Sequence, residues 1–398
     1  MRIGIDASCW LNRRGFGRYT RELVRAVLDV DRTNEYVLFL DAATARGAEH
    51  LPPESAAARV VVSTDAAAAE AASADGSRSI GDLWRMRRAV ASWGRKINTF
   101  YFPADYTYFP ISTPAGVIVT KHDMTDRRVP ELLFPTRRSR FLWDTKIRLA
   151  MWRSDLVFTV SETSRRDIMS AFRMNADRVR VVSDAVDPSF TPAPQGAQRT
   201  SVLARYGIRA DERFALYVGG ISPHKNLATL VTAFARWRAS APHADEGVRL
   251  VLVGDYVADV FHSSYPAVRE LITSTGLGDA VHFTGYVPDA DLRHLYSAAD
   301  VLALPSFYEG FGLPVLEAMA CGAPVIASDA GALPEVVANA GLLFDPHSID
   351  DVARVLGRVV SDSALRADLR ARGLKRAAEF TWHASARAAI AGFESVAR

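Results

Sequence analysis

Two glutamates eight positions apart, Glu309 and Glu317, stand in the run PSFYEGFGLPVLEAMACGAPVIAS, residues 305 to 328, with Gly310 and Gly312 between them. Neither glycine has a Cβ, so the backbone can turn sharply there and bring its N–H groups close to a guest. Pro314 suits the first helical position, because its fixed φ fits and its missing N–H is not needed. A helix N-terminus behind a glycine loop favours phosphate. Carboxylates repel phosphate but accept paired hydroxyls, so acids bracketing an anion cradle suggest a sugar nucleotide rather than a bare phosphate. The plainer alternative is a tight strand-to-helix turn with two solvated glutamates.

Other constellations are weaker alone. RRGFGRYTREL places Gly15 and Gly17 before a helix expected to begin near Tyr19. The third glycine of G-x-G-x-x-G would fall at Thr20, so the dinucleotide fingerprint fails and a hydride enzyme is disfavoured. VIVTKHDMTD sets His122 and Asp123 just beyond an apolar run, where a lone histidine is as readily structural as functional. LYVGGISPHKN ends another run with Gly219 and Gly220 and then offers Lys225. That lysine could neutralise a diphosphate as a point charge, or be an ordinary surface residue. Asp-x-Asp, which holds a divalent cation on many diphosphates, occurs as Asp29 with Asp31 and as Asp289 with Asp291. Neither pair follows a strand, and N-capping accounts for the second. No metal and no other cofactor is therefore expected.

Positioning these residues requires strands that end where they begin. Short apolar runs alternate with longer amphipathic stretches, which argues for parallel sheets covered by helices. In the first half the runs are Ile3 to Asp6, Tyr36 to Leu40, Val60 to Val62, Phe100 to Phe102, Val117 to Thr120, Leu156 to Val160 and Val179 to Val182. An alanine-rich stretch, residues 42 to 77, interrupts them. The Pro-rich segment DPSFTPAPQGAQRT, residues 187 to 200, reads as a linker. Beyond it the runs are Ala215 to Val218, Leu250 to Val253, Val281 to Phe283, Val301 to Leu304, Val325 to Ala327 and Leu342 to Phe344. Glycine turns after them put ligand contacts at the carboxyl ends of the strands. The expected fold is α/β, with two Rossmann-like doubly wound parallel sheets facing across a cleft. The first domain would span residues 1 to 190 and the second 200 to 380.

Composition sets the outer limits. A length of 398 residues exceeds one core, and 49% hydrophobic with 23% charged residues is ordinary for a globular protein. With 48 basic against 45 acidic residues the formal charge is +3, too weak to argue for nucleic acid. Two cysteines, Cys9 and Cys321, suggest neither disulfides nor zinc and fit a cytoplasmic location. MRIGIDASCW reads as a first strand rather than a signal peptide, and no apolar run reaches membrane-spanning length. Basic, aromatic stretches from Arg78 to Lys96 and from Arg127 to Arg153 suit either an anionic membrane surface on the inner face or an ordinary amphipathic helix.

The string EGFGLPVLEAMACGAPVIAS, with its two acids, its glycines and its prolines, closely resembles the signature of the retaining nucleotide-sugar glycosyltransferases of family 4, which share the GT-B fold. The resemblance runs from the first glycine loop through VSETSRRDIMSAF, residues 160 to 172, to the last helix. It implies that Glu317 holds the ribose diol and that Glu309 meets the donor sugar. Gly310, Phe311, Gly312 and Leu313 would supply backbone N–H groups to the donor. Gly15 and Gly17 are assigned to the donor phosphates and the acceptor edge. His122 would contact the sugar and the reaction centre, as base or orienter, with Asp123 supporting it. Near Gly219 the family usually has an arginine and a lysine; this chain has Gly220 and His224 where cations are expected, and retains Lys225. The resemblance further implies that the helix at 381 to 398 returns to the first domain.

The pattern GFGRYTREL followed by NEY resembles bacterial polysaccharide mannosyltransferases. Mannose from GDP-mannose, passed to a glycan or lipid-linked glycan hydroxyl, is the expected reaction. Alternatives are UDP-glucose or another hexose donor, a nucleotide-sugar-binding protein without turnover, and a sugar-nucleotide epimerase.

Overall fold

Each apolar run becomes a strand in the computed structural model, which describes residues 1–12, 15–47, 51, 54, 56–64, 79–134, 136–240, 247–255 and 263–398. Arg13, Arg14, Arg78 and much of the alanine-rich stretch lie outside the described residues. One unit comprises Met1–Met124, Phe134–Asp184 and Thr381–Arg398; the other comprises Thr125–Leu133 and Ala185–Phe380.

In the first unit β1 (Arg2–Asp6), β2 (Glu35–Asp41), β3 (Ala58–Val62), β4 (Thr99–Phe102), β5 (Gly116–Thr120), β6 (Leu156–Thr159) and β7 (Val179–Val181) form a sheet ordered β3-β2-β1-β4-β5-β6-β7. All its pairs are parallel, with Ile3 opposite both Tyr36 and Thr99. Parallel strands covered on both faces need continuous apolar runs, and Phe39, Phe100, Tyr101, Phe102 and Phe158 are fully buried. Each such ring contributes about 1.5–3 kcal/mol over leaving it in water.

The helix Trp382–Ser395 belongs to this unit although it comes last in the chain. Thr99 Oγ1 donates to the Phe393 carbonyl at 2.9 Å, and a Cβ on Gly392 would fall 2.4 Å from the Phe158 ring. Only glycine lets this helix lie so close to the sheet.

The second unit repeats the plan with β8 (Phe214–Val218), β9 (Arg249–Val253), β10 (Val281–Gly285), β11 (Val301–Leu304), β12 (Val325–Ser328) and β13 (Leu342–Phe344), ordered β10-β9-β8-β11-β12-β13. Strand order reverses beside β1 and β4 in one sheet and beside β8 and β11 in the other. Crevices at the carboxyl ends of strands flanking such a reversal are where open α/β sheets take ligands.

Three local expectations are corrected. The first helix runs Gly15–Val30, so Gly15 and Gly17 lie in its first turn rather than ahead of it. The helix after the glycine cradle begins at Leu313, which makes Pro314 its second residue. Asp289 and Asp291 lie inside the first turn of the helix Asp289–Ala298, whose cap is Pro288. Asp291 does not cap; it accepts from Tyr206 Oη at 2.8 Å and pairs with Arg205 at 3.1 Å.

Candidate functional site

At the carboxyl edge of the second sheet, the loop leaving β11 carries Ser306 and Glu309. The Glu309 side chain is 14% exposed and accepts from Lys225 Nζ at 2.7 Å and from Ser306 Oγ at 2.6 Å. Burial pushes this carboxyl up, but the Lys225 ammonium, the Ser306 hydroxyl and the charge of His224 more than offset it, leaving it below its usual value. Lys225 is aimed by its neighbour. Asn226 sits in the left-handed region at φ 58°, and its amide donates to the carbonyls of Pro305 at 3.1 Å and Pro346 at 2.9 Å. The turn that presents the lysine is thus tied to the end of β11.

Across the loop Gly331, at φ 59°, presses on the Glu309 backbone, where a Cβ would lie 2.4 Å from its carbonyl oxygen. Ala332 N–H donates to that same oxygen at 2.9 Å. Gly312 adopts φ 94° against Leu333, which turns the chain into the helix Leu313–Ala320. Phe311 is buried edge-on to Phe380, so its side chain anchors the loop. Glu317, 2% exposed, accepts from Tyr296 Oη at 2.9 Å.

Gly219 and Gly220 follow β8 at the same edge. Gly219 N–H donates to the Val253 carbonyl at 3.0 Å, and Tyr217 Oη donates to the Gly220 carbonyl at 2.6 Å. Gly254 has its Cα side against Gly219 O, where a Cβ would lie 2.3 Å away. Glu309, Lys225 and the Gly219–Gly220 turn therefore share the reversal point between β8 and β11, with Glu317 on the helix that follows.

The first unit gathers its own set at the carboxyl ends of β1, β4 and β5. His122 is buried, with its ring edge-on to Tyr19 at 4.6 Å and to Phe16 at 4.9 Å, between the two glycines' helix and β5. Its Nε2 donates to the Pro103 carbonyl at 2.8 Å, since a carbonyl can only accept, and Nδ1 is then the acceptor nitrogen of the neutral ring. Burial, against the favourable Pro103 bond and the charge of Asp105, lowers its pKa to about 4. Lys121 and Asp105 form a buried ion pair at 3.1 Å beside it. Asp123 is half-buried next in the chain, and the contact that orients the imidazole is the Pro103 carbonyl.

The two glycines differ. A Cβ on Gly17 would meet Asn12 O at 1.9 Å, so close packing demands that glycine, while nothing lies within 4 Å of a Cβ on Gly15.

The structure thus brings Lys225 to Glu309, and His122 to the helix of Gly15 and Gly17. Sequence reasoning missed Ser306, Tyr296, Asn226, Gly331, Lys121 and Asp105. Ser306 stands three residues before Glu309, a spacing that invites a local bond; Tyr296 is a helix residue with no such signal. Among the described residues, no three histidine, cysteine, aspartate or glutamate side chains cluster in a metal-binding arrangement, and no helix is long and apolar enough to cross a membrane.

Residues 13–190 match the family model described as Glycosyltransferase Family 4, and residues 198–376 match that of glycosyl transferases group 1. Over 269 residues the chain is 34% identical to O-antigen chain mannosyltransferase B of Escherichia coli, covering 67% of this chain and 66% of that protein. To the serotype-specific mannosyltransferase WbdA of Escherichia coli it is 31% identical over 306 residues, covering 74% of this chain but 36% of that protein. The chain spans just under two thirds of the first relative's length and about a third of the second's. Sucrose-phosphate synthase from Thermosynechococcus elongatus superposes with a TM-score of 0.74 at 21% identity, covering 99% of this chain and 98% of the other. HepE from Anabaena, solved with UDP-glucose, gives 0.73 at 19% identity, with 99% of both chains covered. At such identities the shared property is the fold.

Proposed function

Because the chain belongs to the glycosyl transferases group 1, with a Family 4 first half, we propose that it is a retaining, metal-independent hexosyltransferase. It takes mannose from GDP-mannose to a hydroxyl of a glycan or lipid-linked glycan in bacterial surface polysaccharide synthesis. The observation that carries this reading is the pair of held acids at one sheet edge, Glu309 on Lys225 and Ser306, and Glu317 on Tyr296. The mannosyltransferase names of the relatives support the choice of sugar.

In the proposed reaction the bond from the anomeric carbon to the diphosphate breaks, and a bond from that carbon to the acceptor oxygen forms on the same face. The acceptor proton passes to a diphosphate oxygen. Lys225 and the N–H groups from Gly310 to Leu313 stabilise the leaving diphosphate. Glu317 holds the ribose diol, and Glu309 orients the sugar and stabilises positive charge on its ring without a covalent intermediate. Neutral His122 accepts a sugar hydroxyl at Nδ1 and acts as an orienter, since a group with a pKa of about 4 is a poor proton store.

The acceptor end of the reaction has its own surface in this reading. The helix Arg137–Arg153 turns Ile147, Ala150 and Met151 inward, while Phe141 and Trp152 are 69% and 74% exposed among its arginines. That combination supports docking on an anionic bilayer that carries a lipid-linked acceptor.

The test is a donor panel. GDP-mannose should raise the melting temperature and be slowly hydrolysed, and the released product should keep its anomeric configuration by NMR. No response to any GDP- or UDP-hexose sinks the enzyme reading. A response to UDP-glucose alone, the ligand of the HepE structure, replaces the donor and leaves the transferase. Activity should survive chelator, and a strict manganese requirement would overturn metal independence.

A further inference from the structure

We propose that the second unit carries a separate site for an organic phosphate at the amino ends of its strands, opposite the glycine loops. A cavity of about 770 Å³ opens there, walled by the segment entering the helix Ala197–Arg205, by the residues that precede β8, β11 and β12, and by the start of the helix Ser363–Ala377. Its charged lining is Arg199, Arg366, Arg370, Glu212 and Asp300.

Both acids are already engaged. Glu212 accepts from Arg249 at 2.8 Å and from the Arg209 N–H at 2.9 Å, and Asp300 accepts from Arg213 at 2.8 Å. Neither Arg213 nor Arg249 lines the cavity. Arg366 donates to the Val359 and Val360 carbonyls and only grazes Asp300 at 4.0 Å. Arg199 donates through Nη2 to the Ala193 carbonyl, but neither it nor Arg370 has a carboxylate among the described residues, and the buried Arg199 Nε has no hydrogen-bond partner. Arg199 and Arg370 line the same cavity, and burial, with the charge of Arg370 added to it, weakens the proton affinity of Arg199. The helix carrying Arg199 starts at Gly196 with no side-chain cap, on the cavity wall.

Like charges held together without a counter-ion call for an anion, and paired guanidinium forks match the oxygens of phosphate. The cavity exceeds one phosphate in size and no aromatic ring lines it, so a phosphorylated sugar fits its chemistry better than a nucleotide base. The wall also touches the acid pair by a short route. Ser297 Oγ takes the Ala193 N–H at 2.9 Å, donates to the Arg293 carbonyl at 2.8 Å and lies 3.2 Å from the Cys321 carbonyl. Its neighbour Tyr296 holds Glu317, which lies four residues before Cys321, the cap of the short helix Leu313–Ala320.

The inference stands apart from the donor assignment, and its test keeps the two distinct. Binding of inorganic phosphate and of a hexose 6-phosphate is measured by calorimetry on the full chain, with and without saturating GDP and UDP. Saturable hexose 6-phosphate binding that persists beside both nucleotides is expected, and Arg370→Gln and Arg199→Gln should each weaken it about tenfold or more. Arg370 is exposed, so its variant should fold, and an unchanged melting temperature checks this. The proposal is overturned by absence of binding, by displacement with either nucleotide, or by equal affinity in a folded Arg370→Gln. Binding of inorganic phosphate with no preference for the sugar ester would overturn the ligand class.

Discussion

Lys225 Nζ lies 2.7 Å from Glu309 Oε1, so the cation proposed for the diphosphate is already committed to the carboxylate proposed to meet the sugar. A guest that recruits the ammonium must loosen this pair, which couples phosphate binding to the position of Glu309. The arginine that usually shares the task is replaced here by Gly220.

Lys225→Met should therefore do two things. It should weaken nucleoside diphosphate binding by about tenfold, the worth of one charge-assisted hydrogen bond, and raise the Glu309 carboxyl by removing its main counter-charge. Calorimetry reads the first and carboxyl NMR titration the second. Because Glu309 is depressed when folded, its contribution to stability is present above the ordinary carboxyl value and is lost as pH falls through the folded one. In the variant that acid-side loss should shrink, because the folded carboxyl moves up towards its unfolded value.

Tyr296→Phe removes one buried hydrogen bond from Glu317 and leaves the ring in place. Stability should fall by about 1 kcal/mol, read from urea unfolding, and donor affinity by several-fold. Glu317→Ala should weaken donor binding more than this. Unchanged donor affinity in both variants would remove Glu317 from the binding site.

His122 supplies a pH signature. Its folded pKa of about 4 lies below the unfolded value of about 6.5, so the unfolded chain binds the extra proton between them. The stabilisation is complete above about pH 6.5 and is lost as pH falls towards 4, by about 3 kcal/mol at most. The His122→Phe variant should lack that slope in denaturation measured across the interval. His122→Ala should lower turnover by about a hundredfold with little change in donor affinity.

Gly331→Ala tests the loop from its far side. A methyl group there meets the Glu309 carbonyl and forces a left-handed backbone on alanine, at a cost of about 1–3 kcal/mol. A melting curve reads the loss, and donor binding should weaken with it because Glu309 is displaced.

Much of this was legible in the chain because it is local. Strands such as Val301–Leu304 announce themselves as apolar runs, and Glu309, Gly312 and Glu317 occur in a single short string. What escaped depends on contacts between distant segments: Gly331 against Glu309, Tyr296 against Glu317, and Asn226 against Pro346. No spacing in the sequence encodes those meetings. The first helix was misplaced for a different reason. Glycine disfavours helix by about 1 kcal/mol, which argues for a later start, yet Gly17 is required where the helix grazes the Asn12 carbonyl. Packing overrode propensity.

The helix Trp382–Ser395 has a bearing on how the protein is made. It covers Phe158 and Tyr101 and bonds to Thr99, all belonging to a sheet whose strands leave the ribosome long before it does. Ala185–Phe380, all of the second unit except Thr125–Leu133, is synthesised in between, so that unit can mature first, while the earlier sheet waits with an uncovered apolar face. Nascent chains arrested before Trp382 should keep that face open to chaperones.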